Sequence, residues 1–397
     1  MPDQLRNQDV AAPHAVHDDD QPSSSTAARP SSPNSRKRQR SPTPKSPSAG
    51  ALSPPEHPAT LDYDDVDANG EGAEQYPGGI EAAGPEEDED GEFSLDEVDD
   101  DTSITSSIHR HTFKNGRRYH KFRHGRYPIP NDEREQNRED MLHAMMLEAT
   151  NGKYFYAPIG DNPSKILDLG TGTGIWAVEI ADMYPAAEVT GIDLSPIQPE
   201  WVPPNVSFIV DDMEDSWLCG DNFDLVHLRN IVPVMKSPVN LLKKIYANLK
   251  PGGWVELQDV DGKVHSDDNT VPPNWPLSQF CDLMEQCFAL FGTDASAAER
   301  GRQYMEAAGF VNIRHHAIKL PYGPWARDKT LRVVGMYYRI ACEEMFPVIG
   351  AMHLPMLGWK PEETEVLFAG CRAGMRDPNV HAYGLMHFWS GQKPETG

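Results

Sequence analysis

Three glycines spaced two apart, closing an apolar run, restrict this chain more than any other feature in it. Residues 166–174 read Ile-Leu-Asp-Leu-Gly-Thr-Gly-Thr-Gly. Lys165 to Leu169 has the length and apolar character of a buried parallel strand, and Ile175 to Tyr184 reads as a helix. The turn between them must bring backbone close to a ligand or adopt positive φ, and glycine permits both. Strand, glycine turn and helix N-terminus together predict an open α/β sheet that binds its ligand at the carboxyl edge.

The next two strands extend the pattern. Glu188 to Ile192 ends at Asp193, 25 residues after Asp168, and is followed by Leu194. An acid at that strand tip can accept hydrogen bonds from both hydroxyls of a ribose. Val206 to Val210 runs into Asp211, Asp212 and Met213. There an acid followed by an apolar side chain suits an adenine, one holding the amino group and the other packing on the ring.

The glycine spacing selects among nucleotides. A dinucleotide fingerprint starting at Gly170 and Gly172 requires its third glycine at 175, but residue 175 is Ile and the glycine is Gly174. No Gly-Lys-Ser/Thr closes the turn as a P-loop would. Asp168 stands two residues before the first glycine, where a carboxylate would repel a pyrophosphate but suits a ligand with an ammonium and no phosphate. S-adenosylmethionine is such a ligand. The expected cofactor-binding residues are Asp168, Gly170, Thr171, Gly172, Gly174, Asp193, Leu194, Asp212 and Met213, with Tyr119 from an N-terminal arm.

Charge divides the chain. Of the net −25, residues 1–101 carry −17 and leave −8 for the rest. That Ser/Pro-rich and then acidic segment cannot bury enough apolar surface to offset its ordering entropy, so it is expected to be a disordered tail. Within it, Arg36-Lys37-Arg38-Gln39-Arg40 precedes Ser-Pro and Thr-Pro steps at Ser41, Thr43 and Ser46. A basic cluster beside proline-directed phosphorylation sites is the pattern of a regulated nuclear-import signal, which predicts a nuclear location. Residues 62–101 hold 18 acids and no Lys or Arg, as a solvated spacer would.

Nothing resembles a membrane span or a secretory leader. The five cysteines form no Cys-x-x-Cys pair and read as reduced structural thiols, and no metal site is expected. Residues 109–127 interleave cations and aromatics. The run is short and the chain otherwise acidic, so an arm over the ligand cleft is expected there rather than a nucleic-acid surface.

Further elements follow from periodicity and punctuation. Asp132 caps a helix to Ala149 with a Met141, Leu142, Met145, Met146 stripe. Phe223 to Leu228 forms a fourth strand. A helix from 238 to 249 ends at Lys250-Pro251-Gly252-Gly253, and Trp254 to Gln258 is the fifth strand. Later helices are expected near 277–291, 295–308, 328–345 and 361–374, with strands at 310–320 and 382–390. The fold class is therefore α/β, a Rossmann-like sheet of seven mostly parallel strands. Residues 102–150 are read as arm and lid helix, and 151–394 as the catalytic domain.

Several of these pieces occur together in one family. Asp168, Gly170, Gly172 and Gly174 match the first motif of class I S-adenosylmethionine-dependent methyltransferases. Gly116-Arg117-Arg118-Tyr119-His120, Pro130-Asn131-Asp132-Glu133, Ala157-Pro158-Ile159-Gly160, Asp193-Leu194-Ser195-Pro196-Ile197-Gln198-Pro199 and Leu249-Lys250-Pro251-Gly252-Gly253-Trp254 resemble the fungal LaeA-like methyltransferases. The resemblance covers about residues 105–394. It implies a methyltransferase that regulates secondary metabolism or development, with velvet-type proteins as partners. It equally admits a tailoring enzyme for a small secondary metabolite, and a cofactor-binding scaffold with little turnover is a third reading. The chain departs from the family at Val232-Pro233-Val234-Met235-Lys236-Ser237, where members often carry Gly-Ser-x-x-x-Trp beside the acceptor pocket. The absence of Asn/Asp-Pro-Pro-Tyr after the fourth strand argues against adenine or glutamine as acceptor. His227, titratable near neutrality and close to the fourth strand's exit, is the candidate general base.

Overall fold

The computed structural model describes residues 111–114, 116–120 and 129–395. The tail expected over 1–101 and most of the basic arm lie outside the described residues.

A two-stranded antiparallel hairpin, β1 (His111–Lys114) and β2 (Arg117–His120), comes first. The sequence reading gave this stretch no strands, although its Asn-Gly step at 115–116 is a strong hairpin signal. Gly116 takes the positive φ, 75°, that such a turn demands. Helix α1 (Glu133–Ala149) follows, capped as expected by Asp132, whose side chain accepts the Glu135 N–H. Arg117 forks onto the same carboxylate at 2.6 and 2.9 Å, and Arg118 reaches the Asn131 carbonyl at 2.6 Å. Hairpin and helix start are thus held by the two motifs that looked like unrelated signatures in sequence.

The central sheet is built from β3 (Lys165–Leu169), β4 (Glu188–Asp193), β5 (Val206–Val210), β6 (Phe223–Arg229), β7 (Leu249–Val260), β8 (Val311–Pro321) and β9 (Tyr383–Gln392). Their order is β5-β4-β3-β6-β7-β9-β8. All pairings are parallel except those of β9, which lies antiparallel between β7 and β8. Strand order reverses between β3 and β6, so a crevice opens beyond their carboxyl ends. Helices α2 (Ile175–Met183), α3 (Pro238–Asn248), α4 (Pro276–Leu290), α5 (Gly301–Ala308), α6 (Lys329–His353) and α7 (Pro361–Met375) complete the described elements. None of the described helices is long and apolar enough to cross a membrane.

Helix α6 runs eight residues past its expected end, through Pro347. Proline there forfeits one backbone hydrogen bond, but burial of Phe346 and Val348 on either side keeps the helix in place. Cys287 and Cys371 are buried and all five thiols are free.

Buried carboxylates tie the loops to the sheet. Glu256 on β7 accepts the N–H groups of Tyr156 and Ala157 at 2.8 and 2.6 Å, which fixes the Ala-Pro-Ile-Gly loop. Asp224 at the start of β6 accepts from the Ser164 and Lys165 N–H groups and pairs with Lys250. Asp259 at the end of β7 accepts the Ile231 and Val232 N–H groups at 2.8 and 3.1 Å. Burial outweighs these hydrogen bonds at Glu256 and Asp259 and pushes both carboxyls up to about 7.

A raised carboxyl leaves the folded state holding a proton that the unfolded chain has lost. Its stabilisation is full below the ordinary carboxylate range and is lost as pH climbs through about 7. The melting temperature should therefore fall by several degrees between pH 5.5 and 8. Scanning calorimetry would show a much flatter profile for a Glu256→Gln, Asp259→Asn double variant. An equally steep fall in that variant would remove these two groups as the cause.

Candidate active site

The crevice beyond β3 and β6 is a cavity with four walls. Gly170 to Thr173 form the floor, Asp193 to Ser195 one side, Asp212 to Glu214 the next, and Arg229 to Ile231 with Val234 and Met235 the far side. Helix α1 closes the top with Arg138, Glu139, Leu142 and Met146. This α1 wall carries half of the apolar stripe read in the sequence; Met145 turns the other way into the core.

The three glycines do different work. All have positive φ (74°, 57° and 82°). A Cβ on Gly170 would stand 2.4 Å from Ile231 Cδ1, and one on Gly172 2.6 Å from Glu139 Oε2, both at the cavity. A Cβ on Gly174 would instead strike the Phe208 ring at 2.5 Å. Gly174 caps α2 and lets β5 pack against it, and it does not line the cavity. Gly170 and Thr171 donate their N–H groups to the Ile192 carbonyl, which stitches the turn to the end of β4.

Asp193 stands where the ribose reading placed it. Its Oδ2 accepts the Gly172 N–H at 2.9 Å and its Oδ1 the Ser195 N–H at 2.8 Å. A carboxylate oxygen has a second lone pair, and the half-buried side chain faces the cavity. Leu194, Thr171, Asp212 and Met213 also line it. Asp212 is oriented by the Glu214 N–H at 3.0 Å, with Met213 beside it.

Besides Gly174, three expected site residues fall elsewhere. Asp168 does not line the cavity: its Oδ2 accepts the Thr171 hydroxyl at 2.6 Å and its Oδ1 meets His227 Nδ1 at 2.7 Å. It positions the turn through these two contacts. His227 is 1% exposed and stacked on Trp176 with ring centroids 3.8 Å apart. Burial lowers its pKa, which favours the neutral imidazole, and the ring is not on the cavity wall. Tyr119 sits half-buried on β2 and is not on the cavity wall. Asn131, next to the Asp132 cap of α1, lines it instead and donates to Ser195 Oγ at 3.3 Å.

The geometry fits an adenosyl ligand with a charged tail: an acid at the ribose position, an acid and a thioether side chain at the adenine position, and glycines where bulk is excluded. Residues 141–315 match the family described as a methyltransferase domain. Methyltransferase pytC of Aspergillus terreus is 39% identical over 76% of this chain and 94% of its own length. Secondary metabolism regulator LAE1 of Cochliobolus heterostrophus is 36% identical over 71% of this chain and 94% of its own. This chain belongs to the LaeA-like S-adenosylmethionine-dependent methyltransferases. A third relative, protein-methionine methyltransferase laeA of Emericella nidulans, is 35% identical over 71% of this chain and 76% of its own.

S-adenosylmethionine supplies this methyltransferase with a methyl group already activated by its sulfonium charge. The chain's own contribution is to bind, orient and exclude water. Asp193, Asp212 and Met213 would hold the adenosine; Gly170 and Gly172 keep the floor low enough for the reacting end. Residues 231–235 form one wall of the space beyond. The Val232–Val234 single-turn helix is fixed there by Asp259, which explains how a segment so unlike the usual family sequence still shapes the cavity. Sequence reasoning missed Glu139, Arg138 and Arg229. Charged residues on a helix face and at a strand end carry no local signal of what they will meet.

Proposed function

We propose that this methyltransferase is a nuclear regulator of secondary metabolism or development and that it methylates a protein. The reading is carried by its likeness to the secondary metabolism regulators, which extends over nearly the whole of LAE1. The basic cluster at 36–40 supplies the import signal it needs, and velvet-type regulatory proteins are the partners it calls for. The relative named a protein-methionine methyltransferase makes a thioether sulfur an acceptor to test first. A thioether has no proton to give up, so transfer to it asks for positioning and no general base.

A second reading, transfer to a small secondary metabolite, is favoured by the apolar lining of Leu142, Met146, Ile231, Val234 and Met235. A shallow apolar molecule would find cover there. Incubating the protein with methyl-labelled cofactor and fractionated extract separates the two. Label in protein bands supports the regulator; label confined to organic-soluble products sinks it. Alanines at Arg36, Lys37, Arg38 and Arg40 should move a fluorescent fusion out of the nucleus.

A further inference from the structure

Glu139 is the one acid that α1 sends into the cavity over the glycine turn. Its Oε2 comes within 2.6 Å of the point where a Cβ on Gly172 would stand. That oxygen is cut off from solvent and has no hydrogen-bond partner, although the residue as a whole is half-buried. Asp193, Asp212 and Glu214, also on the cavity wall, have oxygens engaged by neighbouring groups, including the N–H groups of Gly172, Ser195, Glu214 and Ser237. A buried acceptor left empty costs stability unless something fills it, so an orphan at a ligand cavity points to the ligand.

We propose that Glu139 is the counter-charge for the α-ammonium of the cofactor's methionine arm, and that α1 thereby completes the methionine subsite. The ribose end is accounted for by Asp193, and the sulfonium has no N–H or O–H with which to satisfy an oxygen. An ammonium has three donors and the compensating charge.

The surroundings make the interaction a switch. Burial pushes the Glu139 carboxyl up to about 8. Arg138 opposes this, while Glu135 and Asp140 on α1 and Asp193 at the tip of β4 add to it. Arg229 at the exit of β6 also feels this carboxyl. Without ligand Glu139 is thus neutral at pH 7. Arrival of the ammonium converts it to carboxylate, and its proton leaves to the buffer.

Titration calorimetry on the full chain tests this with S-adenosylhomocysteine, which keeps the ammonium and has no methyl to transfer. At pH 7, runs in phosphate and in Tris should report close to one proton released per ligand bound. Affinity should rise about tenfold per pH unit from 6 to 7.5 and level off above pH ~8, where Glu139 is already ionised before the ligand arrives. Glu139→Gln should release no proton and bind ten- to hundredfold more weakly. 5′-Methylthioadenosine, which lacks the amino acid, should bind both proteins alike with a flat pH profile. Equal proton release in the two proteins, or parallel weakening of methylthioadenosine, would overturn the assignment. If Glu139→Gln does not fold, the proton count and the contrast between the two ligands' pH profiles on the unmutated chain decide it alone.

Discussion

Gly172→Asp is expected to abolish cofactor binding, by a thousandfold or more, without unfolding the protein. Aspartate tolerates the φ of 57° at this position better than most residues, so backbone strain is modest. The damage is electrostatic and steric at the cavity floor. The new Cβ would arrive 2.6 Å from Glu139 Oε2, and the residue's own N–H is already bound to Asp193. The new carboxylate would crowd the Glu139 and Asp193 side chains in the space a cofactor needs. Calorimetry with S-adenosylmethionine checks the loss, and Gly152→Asp is the control. Gly152 has a φ of 78° but open space around its missing Cβ, so its variant should bind normally. Binding by the Gly172 variant within tenfold of the parent would mean that this turn is not the cofactor's floor.

His227→Ala is expected to cost about 3 kcal/mol of stability, roughly a hundredfold in the folding equilibrium, from two losses at one buried point. The Trp176 indole loses the ring stacked on it at 3.8 Å, leaving a void. Asp168 loses the nitrogen 2.7 Å from its Oδ1 and keeps a buried oxygen with nothing to replace it. Chemical denaturation measures the first effect. Methyl transfer measured well below the melting temperature tests the alternative, that the imidazole removes a proton. A sealed imidazole predicts that the pH dependence of kcat keeps its shape in the variant. Disappearance of an ionisation near neutrality from that profile would restore His227 as a base.

The elements of the sheet were readable because each carries its own signal. Apolar runs bounded by Gly, Pro and Asn placed all seven strands, and the glycine turn with acids at two following strand tips placed Gly170, Gly172, Asp193, Asp212 and Met213 at one cavity. The hairpin at 111–120 was readable too, from its Asn-Gly step, and was missed because the cations around it drew a different reading. Pro347 misled in the opposite sense: local chemistry said stop, and packing of Phe346 and Val348 carried the helix on.

What sequence alone determined here is the cofactor end of the site. Its contacts come from one continuous strand-turn-helix and the strand tips beside it, so spacing along the chain is also spacing in space. The third glycine, the acid before the turn and the histidine looked like members of the same set. Only the tertiary structure assigned Gly174 to the Phe208 ring, Asp168 to Thr171 and His227, and His227 to Trp176. Only it brought Glu139 from a helix 33 residues upstream to within reach of Gly172. Whether a polar side chain faces a ligand or satisfies its neighbours is decided by long-range packing, because the same residue in the same local pattern serves either purpose.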